Sequence, residues 1–133
     1  MTKSERPTIF QSERSKLDLT FIVLSGSSIM CVASAVDPLR AANRVTGSTL
    51  FSWRIVSADG NPPVTTAGLP VAVDGRFDPA APTDVLVVVG GFGTREQGTP
   101  PLLAGIRRVA RQARAVGGVE AGTWLVGRAG LLE

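Results

Sequence analysis

Hydrophobic positions along the chain follow two patterns: short apolar runs, and longer stretches with helical spacing. The apolar runs predict strands at Leu19–Leu24, Phe51–Ser57, Val85–Val89 and a short segment containing Ala115, Val116 and Val119. Val85–Val89 is apolar at every position, which indicates a strand that is buried on both faces. Strands of that kind occur in parallel sheets covered by helices.

Helical spacing occurs after three of these strands. The first predicted helix is Ile29–Asn43, with a bend at Pro38 and a buried stripe made of Ile29, Ala33, Val36 and Leu39. The second should begin at Pro100 with Thr99 as its N-cap, and its apolar stripe is Leu102, Ile106, Val109 and Ala113. A third apolar helical run starts at Trp124.

The order of the predicted elements is strand, helix, strand, hairpin, strand, helix, strand and helix. The hairpin would pair Val64–Thr66 with Leu69–Val73 around Ala67-Gly68. This order predicts an α/β fold with a flavodoxin-like, doubly wound and mostly parallel sheet. Because 133 residues are few for a sheet covered on both faces, we expect an incomplete domain.

The chain divides into a polar tail and one domain. Residues 1–16 are polar and mixed in charge, which predicts a flexible tail, and residues 17–133 make up the domain. Phe21–Val36 is apolar, but Ser25-Gly26-Ser27-Ser28 interrupts it and it is shorter than the roughly 20 residues that cross a bilayer. We therefore predict no membrane contact. The single cysteine rules out an internal disulfide framework, and the expected location is the cytoplasm.

Composition limits the chemistry available to this chain. It has no histidine, which removes serine or cysteine catalysis through a histidine base and the usual nitrogen ligands of zinc. Its single cysteine, Cys31, cannot form an internal disulfide. The net charge of +3 comes from scattered arginines, which indicates a solvated surface instead of a nucleic-acid-binding block. No cofactor or metal is predicted.

The segment AVGGVEAGTWLVGRAG, residues 115–130, predicts a strand, a sharp turn and a helix with Glu120 at the apex. Such a turn holds its apex side chain out at the carboxyl end of the strand, beside the amides that open the helix. Ligands of doubly wound sheets bind at those ends. The loops predicted to converge there are Ser25–Ser28, Gly90–Thr94 and Glu120–Thr123.

Five motifs together resemble the N-terminal domain of GlxA-type regulators of the AraC family: LSG, SAVDPLRAANRVTG, FSWRIVSADG, VLVVVGGF and GGVEAGTWLVGRAGLLE. That domain is PfpI/ThiJ-like, of the class I glutamine amidotransferase-like superfamily, and the resemblance covers about residues 17–133. It implies a ligand-sensing domain in transcription regulation and a homodimer in the full-length protein. The family pattern continues past residue 133 with a further strand and helix, so the resemblance implies a sheet that is incomplete at its C-terminus. These regulators bind DNA through a C-terminal helix-turn-helix region that the 133 residues do not include.

The resemblance also implies the ligand and the residues that bind it. Regulators with an acidic elbow are associated with betaine, carnitine or arginine, so we expect a ligand with a quaternary ammonium or guanidinium group. Glu120 would bind that cation, amides near Gly91 and Gly122 would hold an anionic or carbonyl part, and Trp124 could add a cation–π contact. The full set of expected ligand-binding residues is Glu120, Ala121, Gly122, Gly90, Gly91, Phe92, Gly26, Asp37 and Trp124.

Three of these assignments have a plainer alternative. Asp37 is as compatible with helix-end electrostatics as with ligand binding, and tryptophans such as Trp53 and Trp124 are more often core residues. Glu120 could simply favour the start of a helix.

Superfamily enzymes carry a cysteine at the elbow apex and commonly a histidine nearby, so no catalytic residue is predicted here. The alternative function is a PfpI-like hydrolase or glyoxalase-type enzyme that has lost its nucleophile. Counting from Gly26, Cys31 falls where those enzymes place the glutamate that hydrogen-bonds the cysteine, so thiol and carboxylate could have exchanged places. We favour the simpler interpretation of Cys31 as a small buried core residue.

Overall fold

The computed structural model describes residues 16–132, which form an α/β domain with helices on both faces of one sheet. The strands are β1 (Leu17–Val23), β2 (Phe51–Ser57), β3 (Gly75–Arg76), β4 (Val85–Gly90) and β5 (Ala115–Glu120). The helices are α1 (Ile29–Thr46), α2 (Thr94–Gln97), α3 (Pro100–Ala110) and α4 (Gly122–Arg128). The predicted helices and the predicted strands outside the hairpin are therefore present, while β3 and α2 were not predicted.

The strand order is β3-β2-β1-β4-β5, and every pair in the sheet is parallel. This confirms the predicted α/β class and the mostly parallel, flavodoxin-like sheet. Because all strands run the same way, the loops that follow β1, β4 and β5 lie at one edge of the sheet. That edge carries the predicted site.

Alternate residues of β1 face two separate hydrophobic cores. Phe21 and Val23 pack in the core that contains Val32 of α1. Ile22 packs in the core beneath α3 and α4, with Ile106 and other buried residues of those helices. A strand with both faces covered is apolar at successive positions, which is why the sequence pattern identified it.

The buried face of α1 differs from the predicted stripe. Val32 is its buried residue, whereas Ala33 is exposed and Ile29 is 36% exposed. The predicted stripe was wrong at these positions because residues 29–36 are apolar except for Ser34, so periodicity does not decide which side faces the sheet. The rotation matters for the site, since it decides where the Cys31 side chain points.

The ends of α1 follow from local side-chain bonding. The Ser28 hydroxyl accepts a hydrogen bond from the Met30 N–H and caps the first turn. Gly47 ends the helix in the left-handed conformation, with φ of 66°, so α1 is longer than the predicted Ile29–Asn43. The helix continues through Pro38, and the bend there remains a prediction.

The predicted hairpin is wrong. One isolated antiparallel bridge joins Val64 to Pro70, and no strand forms in either segment. Prolines explain this, because Pro63 and Pro70 have no N–H to donate to a ladder. The Thr65 hydroxyl takes the place of a backbone acceptor and bonds to the Leu69 N–H at 3.2 Å.

Within residues 16–132, no helix has both the length and the hydrophobicity needed to span a membrane. The polar tail predicted for residues 1–16 lies almost wholly outside the described residues.

Candidate functional site

Glu120 is the last residue of β5 and forms the apex of the turn into α4. Its φ of 52° is the one positive value found at a non-glycine residue in the described part of the chain. A side chain in this conformation costs about 1–2 kcal/mol relative to the ordinary helical region. Strain of this kind concentrates at functional sites. The sharp elbow predicted from the sequence is thus present, and the Glu120 side chain is exposed at its apex.

Close backbone packing beneath the elbow fixes the position of Glu120. Gly122 opens α4, and a Cβ there would lie 1.9 Å from the carbonyl oxygen of Val88 in β4. A Cβ at Gly90 would lie 2.9 Å from the Gly122 nitrogen. Both positions therefore require glycine so that the start of α4 can lie directly on β4.

The loop after β1 meets the loop after β4 in the same way. The Phe92 N–H donates to the Gly26 carbonyl at 3.1 Å, and a Cβ at Gly91 would lie 2.3 Å from that oxygen. Gly26 itself has φ of 85°, which an L side chain rarely adopts. The structure therefore brings together Gly26, Gly90, Gly91, Phe92 and the Glu120 turn, as the topology predicted.

Two polar side chains that sequence reasoning missed hold these loops. The buried Ser27 hydroxyl donates to the Leu24 carbonyl at 2.7 Å, and its oxygen lies 3.2 Å from the Val89 carbonyl. The Gln97 amide donates to the Ser25 carbonyl at 2.8 Å, which ties α2 to the loop after β1. Their roles depend on long-range packing, and the sequence carries no local signal for them beyond the serine-rich turn.

Cys31 reaches Glu120 from α1. Its Sγ lies 3.5 Å from Glu120 Oε2, and the thiol donates a hydrogen bond to the carboxylate. Cys31 is half-buried and packs against the core that contains Val32, so the preferred interpretation of Cys31 as a small buried core residue is confirmed in part. Its bond to Glu120 also supports the alternative that thiol and carboxylate have exchanged places.

Burial and the Glu120 carboxylate both favour the protonated form of the Cys31 thiol. Burial raises the pKa of the Cys31 thiol most, and the hydrogen bond to Glu120 and its negative charge raise it further, against a smaller lowering by Ser28. A thiol with a raised pKa contains little thiolate at neutral pH, and thiolate is the nucleophilic form. Within the described residues, no lysine or arginine forms an ion pair with Glu120.

The remaining two expected ligand-binding residues, Asp37 and Trp124, have side-chain partners outside the elbow. Asp37 lines a groove between α1 and β2, where it accepts hydrogen bonds of 2.7 and 3.0 Å from Arg40. The Arg40 hydrogen bond holds the pKa of Asp37 below its usual range. Trp124 is 39% exposed and lies under the Arg95 guanidinium. The distance from the centre of the Trp124 ring to Arg95 Cζ is 5.4 Å. It is therefore a surface residue packed against α2, not a core residue.

Metal binding finds no support at the elbow. Across residues 16–132, no three His, Cys, Asp or Glu side chains are grouped so that they could hold a metal ion. The chemistry present is a carboxylate, a protonated thiol and a glycine-lined backbone surface.

No model of a known protein family matches the chain. In sequence it is similar to HTH-type transcriptional regulators. It is 39% identical to CdhR of Pseudomonas aeruginosa over 116 residues, 87% of this chain and 34% of that protein. It is 34% identical to GbdR of the same species over 127 residues, 96% and 35% of the two chains. GlxA of Rhizobium meliloti is 30% identical over 114 residues, which are 85% of this chain and 35% of that protein. The chain spans about a third of the length of these relatives.

Solved structures with the same fold include an AraC family transcriptional regulator from Pseudomonas putida. Its TM-score is 0.77 at 31% identity, covering 87% of this chain and 62% of that one. A ThiJ/PfpI family protein from Pseudomonas syringae has a TM-score of 0.69 at 23% identity, and the match covers 89% of this chain and 48% of that one. At this identity the match shows that the two proteins share a fold. These comparisons confirm the resemblance to AraC-type regulators, and the fold is the one found in ThiJ/PfpI family proteins.

Proposed function

We propose that this PfpI/ThiJ-like domain is the non-catalytic sensor of a transcriptional regulator and that it binds a small metabolite with a cationic amino group. The observation that carries the proposal is the Glu120 carboxylate, which the strained elbow holds exposed at the carboxyl edge of the sheet. The similarity to HTH-type regulators supports the regulatory role.

A carboxylate at this position suits binding better than catalysis. The Cys31 thiol donates a hydrogen bond to Oε2 and remains protonated, and the chain has no histidine to act as a base. We assign Oε1 to the ligand. At about 4 Å a unit positive charge gains about 1 kcal/mol in water and about 4 kcal/mol near a protein surface with an effective dielectric constant of about 20.

We place the rest of the ligand's recognition on the surface around Glu120. The candidate contacts are Ala121, Gly122, Gly90, Gly91 and Phe92. The Phe92 side chain is 82% exposed, so its ring is available to a quaternary ammonium or guanidinium group. Because α4 has only seven residues, its dipole is short and the proposal depends on the Glu120 charge.

In the full-length regulator we propose that ligand occupancy at Glu120 biases DNA binding by a helix-turn-helix region outside these residues. We further propose a homodimer and a cytoplasmic location for that protein. A sensor domain acts by binding its ligand with different affinity in two conformations, because a ligand with equal affinity for both does not change their populations.

Calorimetric titration of the full-length regulator against betaine, carnitine, arginine and their neutral isosteres tests the proposal. Glu120→Gln keeps the shape of the side chain and removes its charge, so it should weaken the cationic ligand by about 1–3 kcal/mol. Asp78→Asn is the matched control, because it removes one negative charge from an exposed side chain that bonds only locally, to the Ala80 N–H. Equal binding by the wild type and Glu120→Gln across the panel would remove Glu120 from the site.

A further inference from the structure

A separate cavity lies at the carboxyl ends of β1 and β2, where α2 and the loop after β2 close over them. Its volume is about 360 Å³, within the range of small-molecule sites. Buried Val23 and Leu24 form its floor, and Pro62 and Pro63 form an apolar wall. Glu120 is not among its lining residues, so this cavity is distinct from the elbow.

The charged groups of this cavity are all negative. Asp59 lines it from the loop after β2, and Glu96 lines it from α2. None of the lining residues that the structure describes is a lysine or an arginine. The Asn61 N–H donates to Asp59 Oδ1 at 2.9 Å, and this bond lowers the pKa of Asp59, so its carboxylate is charged at neutral pH.

The helix that begins beside the cavity does not offer an anion site. Thr99 lines the cavity and caps α3, but the next two residues, Pro100 and Pro101, have no N–H. The Leu102 N–H donates to the Thr99 hydroxyl, and the Leu103 N–H donates to the Thr99 carbonyl. A helix N-terminus binds anions through free N–H groups, and in this first turn the N–H groups are absent or already bonded.

The lining also distinguishes between kinds of cation. Quaternary ammonium groups are recognised by aromatic rings, and none of the described lining residues is aromatic. The cavity instead offers carboxylate oxygens, which accept hydrogen bonds from ammonium or guanidinium N–H groups. Next to them lies an apolar surface that matches an aliphatic chain.

We infer that this cavity binds a small aliphatic primary amine or guanidine, with the cationic head held by Asp59 and Glu96 and the aliphatic part against Leu24, Pro62 and Pro63. The site is a second one, and it does not depend on the function proposed for Glu120.

The test is an NMR titration of the 133-residue chain with butylguanidinium and butylammonium, using tetramethylammonium and butanol as controls. We expect saturable shifts of the backbone amides of residues 58–61 and of Gln97 with the two N–H cations only. Asp59→Asn combined with Glu96→Gln should weaken binding by about tenfold or more, the loss expected for a charge-assisted hydrogen bond. Both replacements retain an acceptor oxygen, so the loop bond to Asn61 is kept.

Asp37→Asn combined with Asp78→Asn is the matched control, because it also removes two negative charges. Asp37 lies in the α1–β2 groove and Asp78 is an exposed residue that bonds locally to the Ala80 N–H, so this control should leave binding at the cavity unchanged. The inference is overturned if the wild-type amides around the cavity show no saturable shift, if tetramethylammonium binds as tightly, or if the control weakens binding as much as Asp59→Asn with Glu96→Gln. The pattern of amide shifts in the wild-type protein tests the inference even if a variant fails to fold.

Discussion

Replacing Gly122 by alanine should destabilise the domain sharply, although Gly→Ala within a helix ordinarily stabilises. The new Cβ would lie 1.9 Å from the Val88 carbonyl oxygen and 2.5 Å from its carbon, far inside ordinary contact distance. Val88 cannot move away easily, because β4 is paired with β1 on one side and β5 on the other. Overpacking typically costs about 1–3 kcal/mol, and we expect the upper end here.

The gain in helix propensity offsets part of that cost. Alanine in place of glycine stabilises a helix by at most about 1 kcal/mol, so Gly122→Ala should lower the free energy of unfolding by about 2 kcal/mol in total. Gly127→Ala in the same helix is the matched control, because its new Cβ would meet only the Leu132 Cδ1 at 3.5 Å. That variant should be more stable than the wild type by up to about 1 kcal/mol.

Urea unfolding followed by circular dichroism measures both variants. For a slope of about 2 kcal/mol per molar urea, Gly122→Ala should lower the midpoint by about 1 M, and Gly127→Ala should raise it slightly. A Gly122→Ala protein as stable as the wild type would show that α4 can move away from β4, and it would refute the close packing that we hold responsible for the position of Glu120. If Gly127→Ala destabilised the domain equally, α4 would be sensitive to any substitution of its glycines, and the contact with Val88 would not be the cause.

Three further predictions concern the thiol, the elbow strain and DNA. Because folding raises the pKa of Cys31, alkylation of this thiol by iodoacetamide at pH 8 should be slower in the folded chain than in urea. Alkylation should be faster in the Glu120→Gln variant than in the wild type. The raised pKa of Cys31 should stabilise the fold at neutral pH, and this stabilisation should be lost as the pH rises through the folded-state pKa. Glu120→Gly relieves a left-handed backbone and should be more stable than Glu120→Ala by up to about 1 kcal/mol in the same unfolding assay, and the reverse order would mean that the elbow is not strained. The 133-residue chain, with a net charge of +3, should bind DNA weakly and without sequence preference in a salt-dependent shift assay, and tight selective binding at physiological salt would contradict this.

The strands and the elbow could be predicted because local sequence determines them. Val85–Gly90 is buried on both faces, and Glu120 stands between a glycine-rich strand and an apolar helix. β3 could not be predicted, because Gly75–Arg76 has no strand propensity and exists only through pairing with Val56 and Ser57. Helix α2 has four residues, too few to show any periodicity.

The contacts of the site were harder to predict than its location. Parallel topology alone indicated that the loops meet, but the side of α1 that faces the elbow depends on a rotation of one residue. In the observed orientation Cys31 packs against the core and also bonds to Glu120. Trp124 shows the same limit, since an aromatic residue in an apolar run does not reveal that Arg95 covers its ring.

The bond between Cys31 and Glu120 has a kinetic consequence. The two residues are 89 positions apart, and Glu120 belongs to a strand that reaches β1 only through β4. Pairing between distant parallel strands is slow, because loop-closure entropy is paid before the contacts form. During refolding the thiol should therefore remain open to rapid labelling until the last strand has docked. The edge that carries Glu120 would then be completed in one late step, so a partly folded chain would lack the arrangement that we propose for binding.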